Sequence, residues 1–246
     1  MNKKNSKLQS TNNTAFLLVD KVNKIYKTKH QQEVHALKDV SFTCNKGEFI
    51  VILGQSGAGK TTLLNCIGGM DNITSGTIVL NGNDISKASA KQLTEYRRND
   101  IGFVFQFYNL MQNLTAIENV ELATEISKKA IDPKSVMKQV GLEDRINNFP
   151  AQLSGGEQQR VSIARAIAKN PSILLCDEPT GALDFKTGKL VIQVLYDACK
   201  INEKTVIVVT HNSEIAAVAN KVIHISNGQI SKIEVNKHPK DIKDIV

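Results

Sequence analysis

Residues 54–61, Gly-Gln-Ser-Gly-Ala-Gly-Lys-Thr, have the types and spacing needed to hold a phosphate. Gly54, Gly57 and Gly59 let the backbone curl around an anion, with Gln55, Ser56 and Ala58 between them, so that successive N–H groups point inward at a helix start. Lys60 supplies a point charge to the outer phosphates, and the Thr61 hydroxyl is a ligand for Mg²⁺. The loop follows the apolar run 49–53 and opens a helical pattern, which is the context such a loop requires.

A second run, 173–178, is Ile-Leu-Leu-Cys-Asp-Glu: a buried strand ending on two carboxylates. On a bare strand end Asp177 and Glu178 are ordinary solvated groups. Behind a phosphate loop they acquire roles: Asp177 to hold Mg²⁺ through water, Glu178 to orient and polarise an attacking water. A third run, 153–160, is Leu-Ser-Gly-Gly-Glu-Gln-Gln-Arg. Ser154 is well placed as the N-cap of a helix opened by Gly155, Gly156 and Glu157. That run reads either as a plain capped helix start or as a second anion site at a helix terminus.

These groups need a frame. Apolar, β-branched runs predict strands at 16–19, 40–43, 49–53, 77–80, 101–105, 172–176, 205–210 and 222–225. Helical patterns fall between several of them, at 60–68, 90–98, 116–128, 155–168, 188–200 and 213–219. Strands alternating with helices imply a largely parallel sheet with ligands at its carboxyl edge. From about 107 to 153 the pattern is helical, broken by turns, with no convincing strand, and it reads as a helical subdomain inserted into the α/β core. Asn81-Gly82 and Asn227-Gly228 are hairpin turns at the periphery, where antiparallel strands are expected. Residues 1–14 and 234–246 read as polar tails. Phe103 and Phe105 share one strand face, and Phe107 and Tyr108 are equally suited to core packing or to lining a groove for a partner's helix.

At 246 residues and 41% apolar content the chain can bury one substantial core or two packed subdomains. Its 31 basic and 24 acidic residues leave +7, which fits an anionic partner but equally fits a solvated lysine surface. No run approaches the roughly 20 apolar residues that cross a bilayer, so a cytosolic location is expected. Cys44, Cys66, Cys176 and Cys199 have no metal-binding spacing and are expected to be buried thiols.

The order of these runs resembles the nucleotide-binding subunits of ATP-binding cassette (ABC) transporters, and residues 153–160 match that family's signature. The resemblance covers about 16–233 and implies an α/β fold: a P-loop NTPase core with a mostly parallel sheet, peripheral antiparallel β strands and the inserted helical subdomain, all within an ATP-binding domain over 15–233. It implies ATP and Mg²⁺ as cofactors. It also implies that Ser154 and the Gly156 N–H grip the γ-phosphate of ATP bound to a second protomer. Thr62 is similar to the residue that contacts the α-phosphate, and Tyr26 to the aromatic that stacks on adenine. Gln106 resembles the Q-loop glutamine, a ligand for Mg²⁺ or water. His211, 34 residues after Asp177, resembles the switch histidine, and residues 181–184, Gly-Ala-Leu-Asp, resemble the D-loop.

Gly181 within 176–184, together with 102–106 and 114–120, resembles the lipoprotein-release, macrolide-export and antimicrobial-peptide-resistance branch. The implied partners are a second ATPase protomer and an integral membrane permease with an extracytoplasmic domain, on the inner face of the membrane. No nucleic acid partner is expected. A soluble ABC ATPase acting on nucleic acid or the ribosome has only the +7 charge behind it, and a non-hydrolysing sensor would be expected to lack Glu178 or His211.

Overall fold

The computed structural model describes residues 15–27 and 33–242. The expected tail at 1–14 and residues 243–246 lie outside the described residues.

Two sheets carry the frame. In chain order the strands are β1 (Leu17–Lys27), β2 (Glu33–Cys44), β3 (Phe49–Leu53), β4 (Ser75–Leu80), β5 (Asn83–Asp84), β6 (Ile101–Val104), β7 (Ile173–Asp177), β8 (Thr205–Thr210), β9 (Lys221–Ser226) and β10 (Gln229–Val235). The larger sheet has the order β10-β9-β3-β8-β7-β6. β6, β7, β8, β3 and β9 are parallel to one another, and β10 closes the edge antiparallel to β9. The smaller sheet, β2-β1-β4-β5, is antiparallel throughout. Both hairpins expected from Asn-Gly turns are present, β4–β5 and β9–β10.

The central strands are apolar on both faces because both faces are covered. Phe49, Val51, Val206, Val208, Leu174 and Cys176 belong to one core, packed beneath α3 (Ala116–Thr124), α4 (Pro133–Gln139), α5 (Gly155–Ala168) and α6 (Phe185–Lys200). Their alternates Ile50, Ile52, Ile207, Val209, Ile173 and Leu175 belong to a second core with α1 (Lys60–Ile67), α2 (Ala90–Asn99) and the smaller sheet. All four cysteines are buried free thiols.

Residues 107–153 contain α3, α4 and two 3₁₀ turns (Glu143–Arg145 and Pro150–Gln152), with no strand. Several boundaries differ from the sequence pattern for local reasons. α3 stops at Thr124 rather than 128, because Ser127 and Ile131 bond the carbonyls of Lys169 and Ala168 and draw the chain onto the end of α5. α6 begins at Phe185 rather than 188, because the Asp184 carboxylate caps it by accepting the Thr187 N–H. Residues 213–218 form a 3₁₀ helix. The segment expected as a tail from 234 packs back instead: β10 runs to Val235, the Asn236 and Lys240 N–H groups bond the carbonyls of Asn220 and Ala217, and Ile242 is buried.

Candidate functional site

Register brings the chemistry to one edge. Leu53 lies beside Thr210 and Asp177 beside Val209, so the phosphate loop, the carboxylates and His211 all leave the sheet at its carboxyl ends. There they line an open groove of about 800 Å³ whose walls include Ser56 to Thr62, Gln106, Asp177, Glu178 and His211.

The loop's glycines are fixed by sterics. A Cβ on Gly54 would sit 2.4 Å from the Ile225 carbonyl oxygen. Gly57 and Gly59 have φ of 77° and 102°, a region side chains disfavour. No side chain caps α1, which leaves its first N–H groups for an anion. Lys60 is buried, its ammonium donating to the carbonyls of Gly54 (2.8 Å) and Gln55 (3.1 Å). That bent-back lysine arches over the N–H groups of the loop, a shape suited to phosphate.

The Thr61 hydroxyl donates to Asp177 Oδ1 at 3.1 Å. Burial, reinforced by neighbouring Glu178 and opposed by Thr61 and Lys60, pushes the Asp177 carboxyl above its ordinary value. Among the described residues no group of three His, Cys, Asp or Glu side chains could hold a metal. Thr61 and Asp177 together still fit Mg²⁺, which takes one or two protein oxygens and completes its shell with phosphate and water. Glu178 has φ of 47°, and its N–H bonds the Val209 carbonyl at 2.8 Å. Its carboxylate lies between two side chains: Oε2 is 3.0 Å from His211 Nδ1 and Oε1 is 3.9 Å from Lys60 Nζ.

The remaining expected residues divide. Gln106 lines the groove, with its amide nitrogen 3.2 Å from where a Cβ on Gly181 would lie, so the Q-loop and D-loop segments meet there. Ser154, Gly155, Gly156 and Glu157 do not line it. They open α5 elsewhere, with Ser154 and Glu157 forming a reciprocal cap. The two glycines permit close packing: a Cβ on Gly156 would meet the Thr187 methyl at 2.0 Å, and one on Gly155 the Tyr108 hydroxyl at 2.7 Å. Tyr26 does not line the groove either. Its hydroxyl donates to Asp71 at 2.6 Å, and burial first, then that carboxylate, pushes its pKa up to about 12. Tyr108 packs against the core, whereas Phe107 is 73% exposed.

Groove residues the sequence did not mark for the site are Val34, His35, Ala36, Lys38, Asn227 and Gly228. The 227–228 turn is more than a peripheral hairpin: Gly228 donates to the Ala58 carbonyl at 3.0 Å and accepts from the Lys38 N–H at 2.8 Å, bracing the loop. Gln159, fully buried, donates to the Phe105 carbonyl at 3.2 Å. Arg165 donates to the carbonyls of Tyr108 and Asn109, so α5 anchors the segment after Gln106.

A parallel sheet with an uncapped, glycine-wrapped helix at its carboxyl edge and two carboxylates at the end of β7, one strand beyond β8, defines a P-loop NTPase. The model of the family described as "ABC transporter" matches residues 37–181, and the chain belongs to that family. It is 43% identical over 212 residues to the ABC transporter ATP-binding protein MG065 homolog of Mycoplasma pneumoniae, covering 85% of this chain and 46% of the relative. It is 42% identical over 214 residues to the macrolide export ATP-binding/permease protein MacB of Mannheimia succiniciproducens, covering 85% of this chain and 33% of the relative. The chain thus spans half or less of those two relatives' length. Among solved structures it superimposes on the dimeric post-hydrolysis state of the ATP-binding cassette MJ0796 bound to ADP and Pi. There the TM-score is 0.82 at 39% identity, over 90% of this chain and 99% of that one.

Proposed function

We propose that this chain is the ATP-hydrolysing subunit of an ABC transporter, closing as a dimer around two ATP molecules to drive a membrane permease. The observation that carries the reading is the Glu178 carboxylate, held between His211 and the phosphate-loop Lys60. It stands where a water attacking a terminal phosphate would be oriented. Lys60 and the N–H groups of the loop bind the phosphates, and Thr62 contacts the innermost. His211 senses the terminal phosphate through the same carboxylate. Mg²⁺, held by Thr61 and Gln106 and through water by Asp177, would offset phosphate charge.

Ser154 and Gly156 of the partner complete each site from the other side. Their place outside the groove of their own chain supports this reading, as does the dimeric state of the MJ0796 cassette. We assign adenine stacking to Tyr26 on the family resemblance. Among the described residues no helix is long and apolar enough to cross a membrane. We assign transport to a permease with an extracytoplasmic domain, met at the inner membrane face through the exposed Phe107 region. The branch motifs and the MacB likeness support export or extracytoplasmic mechanical work. Steady-state ATPase measurements on the purified chain, alone and with the membrane protein that co-purifies with it, test the reading. Absence of Mg²⁺-dependent hydrolysis in both would overturn it.

A further inference from the structure

The Ser154 hydroxyl has one proton to give, and in this structure it is not free for a phosphate. It donates to Glu157 Oε2 at 2.8 Å, and the Ser154 backbone N–H donates to the same oxygen at 2.8 Å. A carboxylate therefore occupies the Ser154 hydroxyl that a γ-phosphate would need, and it adds a like charge beside that phosphate. The other oxygen of Glu157 is engaged separately: Oε1 lies 3.3 Å from Arg145 Nε, an ion pair between the 3₁₀ turn at Glu143–Arg145 and the start of α5. Arg160 acts on the same carboxylate from within α5.

We propose that Arg145 is a positioning residue of the shared ATP site: it neutralises Glu157 and gives its carboxylate an alternative donor, so that the Ser154 hydroxyl can turn to the γ-phosphate. The inference rests on the two-chain site proposed above. Release of Ser154 removes one charge-assisted hydrogen bond from Glu157, and a guanidinium already at 3.3 Å is placed to replace it. The Arg145 contact is not the only thing that holds the turn in place. The backbone beyond it is pinned to the start of α3 through the Ala116 and Ile117 N–H groups, which bond the carbonyls of Asn148 and Ile146.

The test is a double-mutant cycle in the full-length Glu178→Gln chain, where ATP-bound dimers are expected to accumulate. The readout is the ATP concentration giving half-maximal dimer in sedimentation velocity. Arg145→Ala should raise that concentration about fivefold, the upper end for an ion pair with a half-exposed partner. Glu157→Gln retains the reciprocal cap, since glutamine serves at that position, and should lower it. In the double variant the Arg145 effect should shrink to less than about twofold, because its target charge is gone. Arg145→Lys should restore part of the loss. A loss of equal size in both backgrounds, or no loss at all, overturns the proposal while leaving the two-chain site intact. A parent Glu178→Gln chain that never dimerises with ATP overturns the two-chain site and this proposal together.

Discussion

His211 and Glu178 are joined twice: Nδ1 of the imidazole lies 3.0 Å from Glu178 Oε2, and the His211 backbone N–H reaches the same oxygen at 3.4 Å. Glu178 holds a left-handed φ of 47° on the far side of β7, so strand register and an unusual backbone angle set the pair together. Exchanging the carboxylate for an amide keeps the shape and removes both the charge and the water-orienting capacity. Glu178→Gln should therefore bind ATP at least as tightly as the parent while turnover falls by about 10²–10⁴-fold. Nucleotide titration alongside single-turnover hydrolysis checks it, and near-parental turnover would remove Glu178 from its assigned role.

Asp177 offers a pH test whose sign is opposite to the usual carboxylate case. Burial raises its pKa in the folded chain, with Glu178 adding to the rise. The native state thus takes up this proton more readily than the unfolded chain does. Its contribution to stability is full below the unfolded pKa and is lost as pH rises through the folded value. Asp177→Asn cannot ionise, so without nucleotide it should melt at a higher temperature than the parent at pH 8. The gap should close toward about pH 4, near the unperturbed carboxyl value. Activity should be lost at every pH. Thermal melts across that range check the sign: a parent that melts higher than the variant at pH 8 contradicts it.

How much of this was legible in the sequence depends on whether the chemistry is local. Gly54 to Thr61, Asp177-Glu178 and the Ser154 cap each declare themselves within a few residues, and the central strands announce their burial by unbroken β-branched runs. β10 does not: Gln229, Ser231, Lys232 and Glu234 interrupt the apolar residues of an exposed edge strand, leaving no apolar run to see. β1 and β2 extend well beyond their apolar stretches because irregular register between Val19 and Ile25 shifts the alternation. The bracing of the phosphate loop by Gly228 joins residues 170 positions apart (228 minus 58), and nothing in either segment alone reveals it.

Gly228 and Gly82 make a matched pair for that bracing. Both follow Asn in a hairpin turn, and both have φ of 79°. A Cβ on Gly82 meets nothing within 4 Å, whereas one on Gly228 would sit 2.7 Å from the Ala36 carbonyl oxygen. Gly82→Ala should cost only the left-handed strain, about 1–2 kcal/mol. Gly228→Ala should cost more and should also weaken nucleotide binding, since the turn that steadies Ala58 must shift. Chemical denaturation with ATP titration separates the two. Equal losses, with binding unchanged in both, would show that the turn does not support the loop.

The last prediction concerns sharing of the site between chains. Lys60 lines the groove, while Ser154 of the same chain opens α5 outside it. If ATP joins Lys60 of one protomer to Ser154 of its partner, the two lesions Lys60→Ala and Ser154→Arg complement each other. Each pure homodimer should be inactive, because both of its sites carry the lesion. In a mixed dimer the Lys60 lesion of one chain and the Ser154 lesion of the other fall in the same site. The second site then keeps an intact Lys60 and an intact Ser154. Mixing should restore ATPase activity, at up to about half the parental number of sites if the two act independently. A mixture of two separately prepared Lys60→Ala samples is the control and should stay inactive. Exchange of subunits is verified by labelling each chain with a different fluorophore. With exchange verified, a mixture no more active than the control in steady-state assays leaves head-to-tail sharing with one escape, complete coupling between sites. Single-turnover measurement closes it: a coupled mixed dimer still hydrolyses one ATP at its intact site, and a burst no larger than the control excludes the shared site.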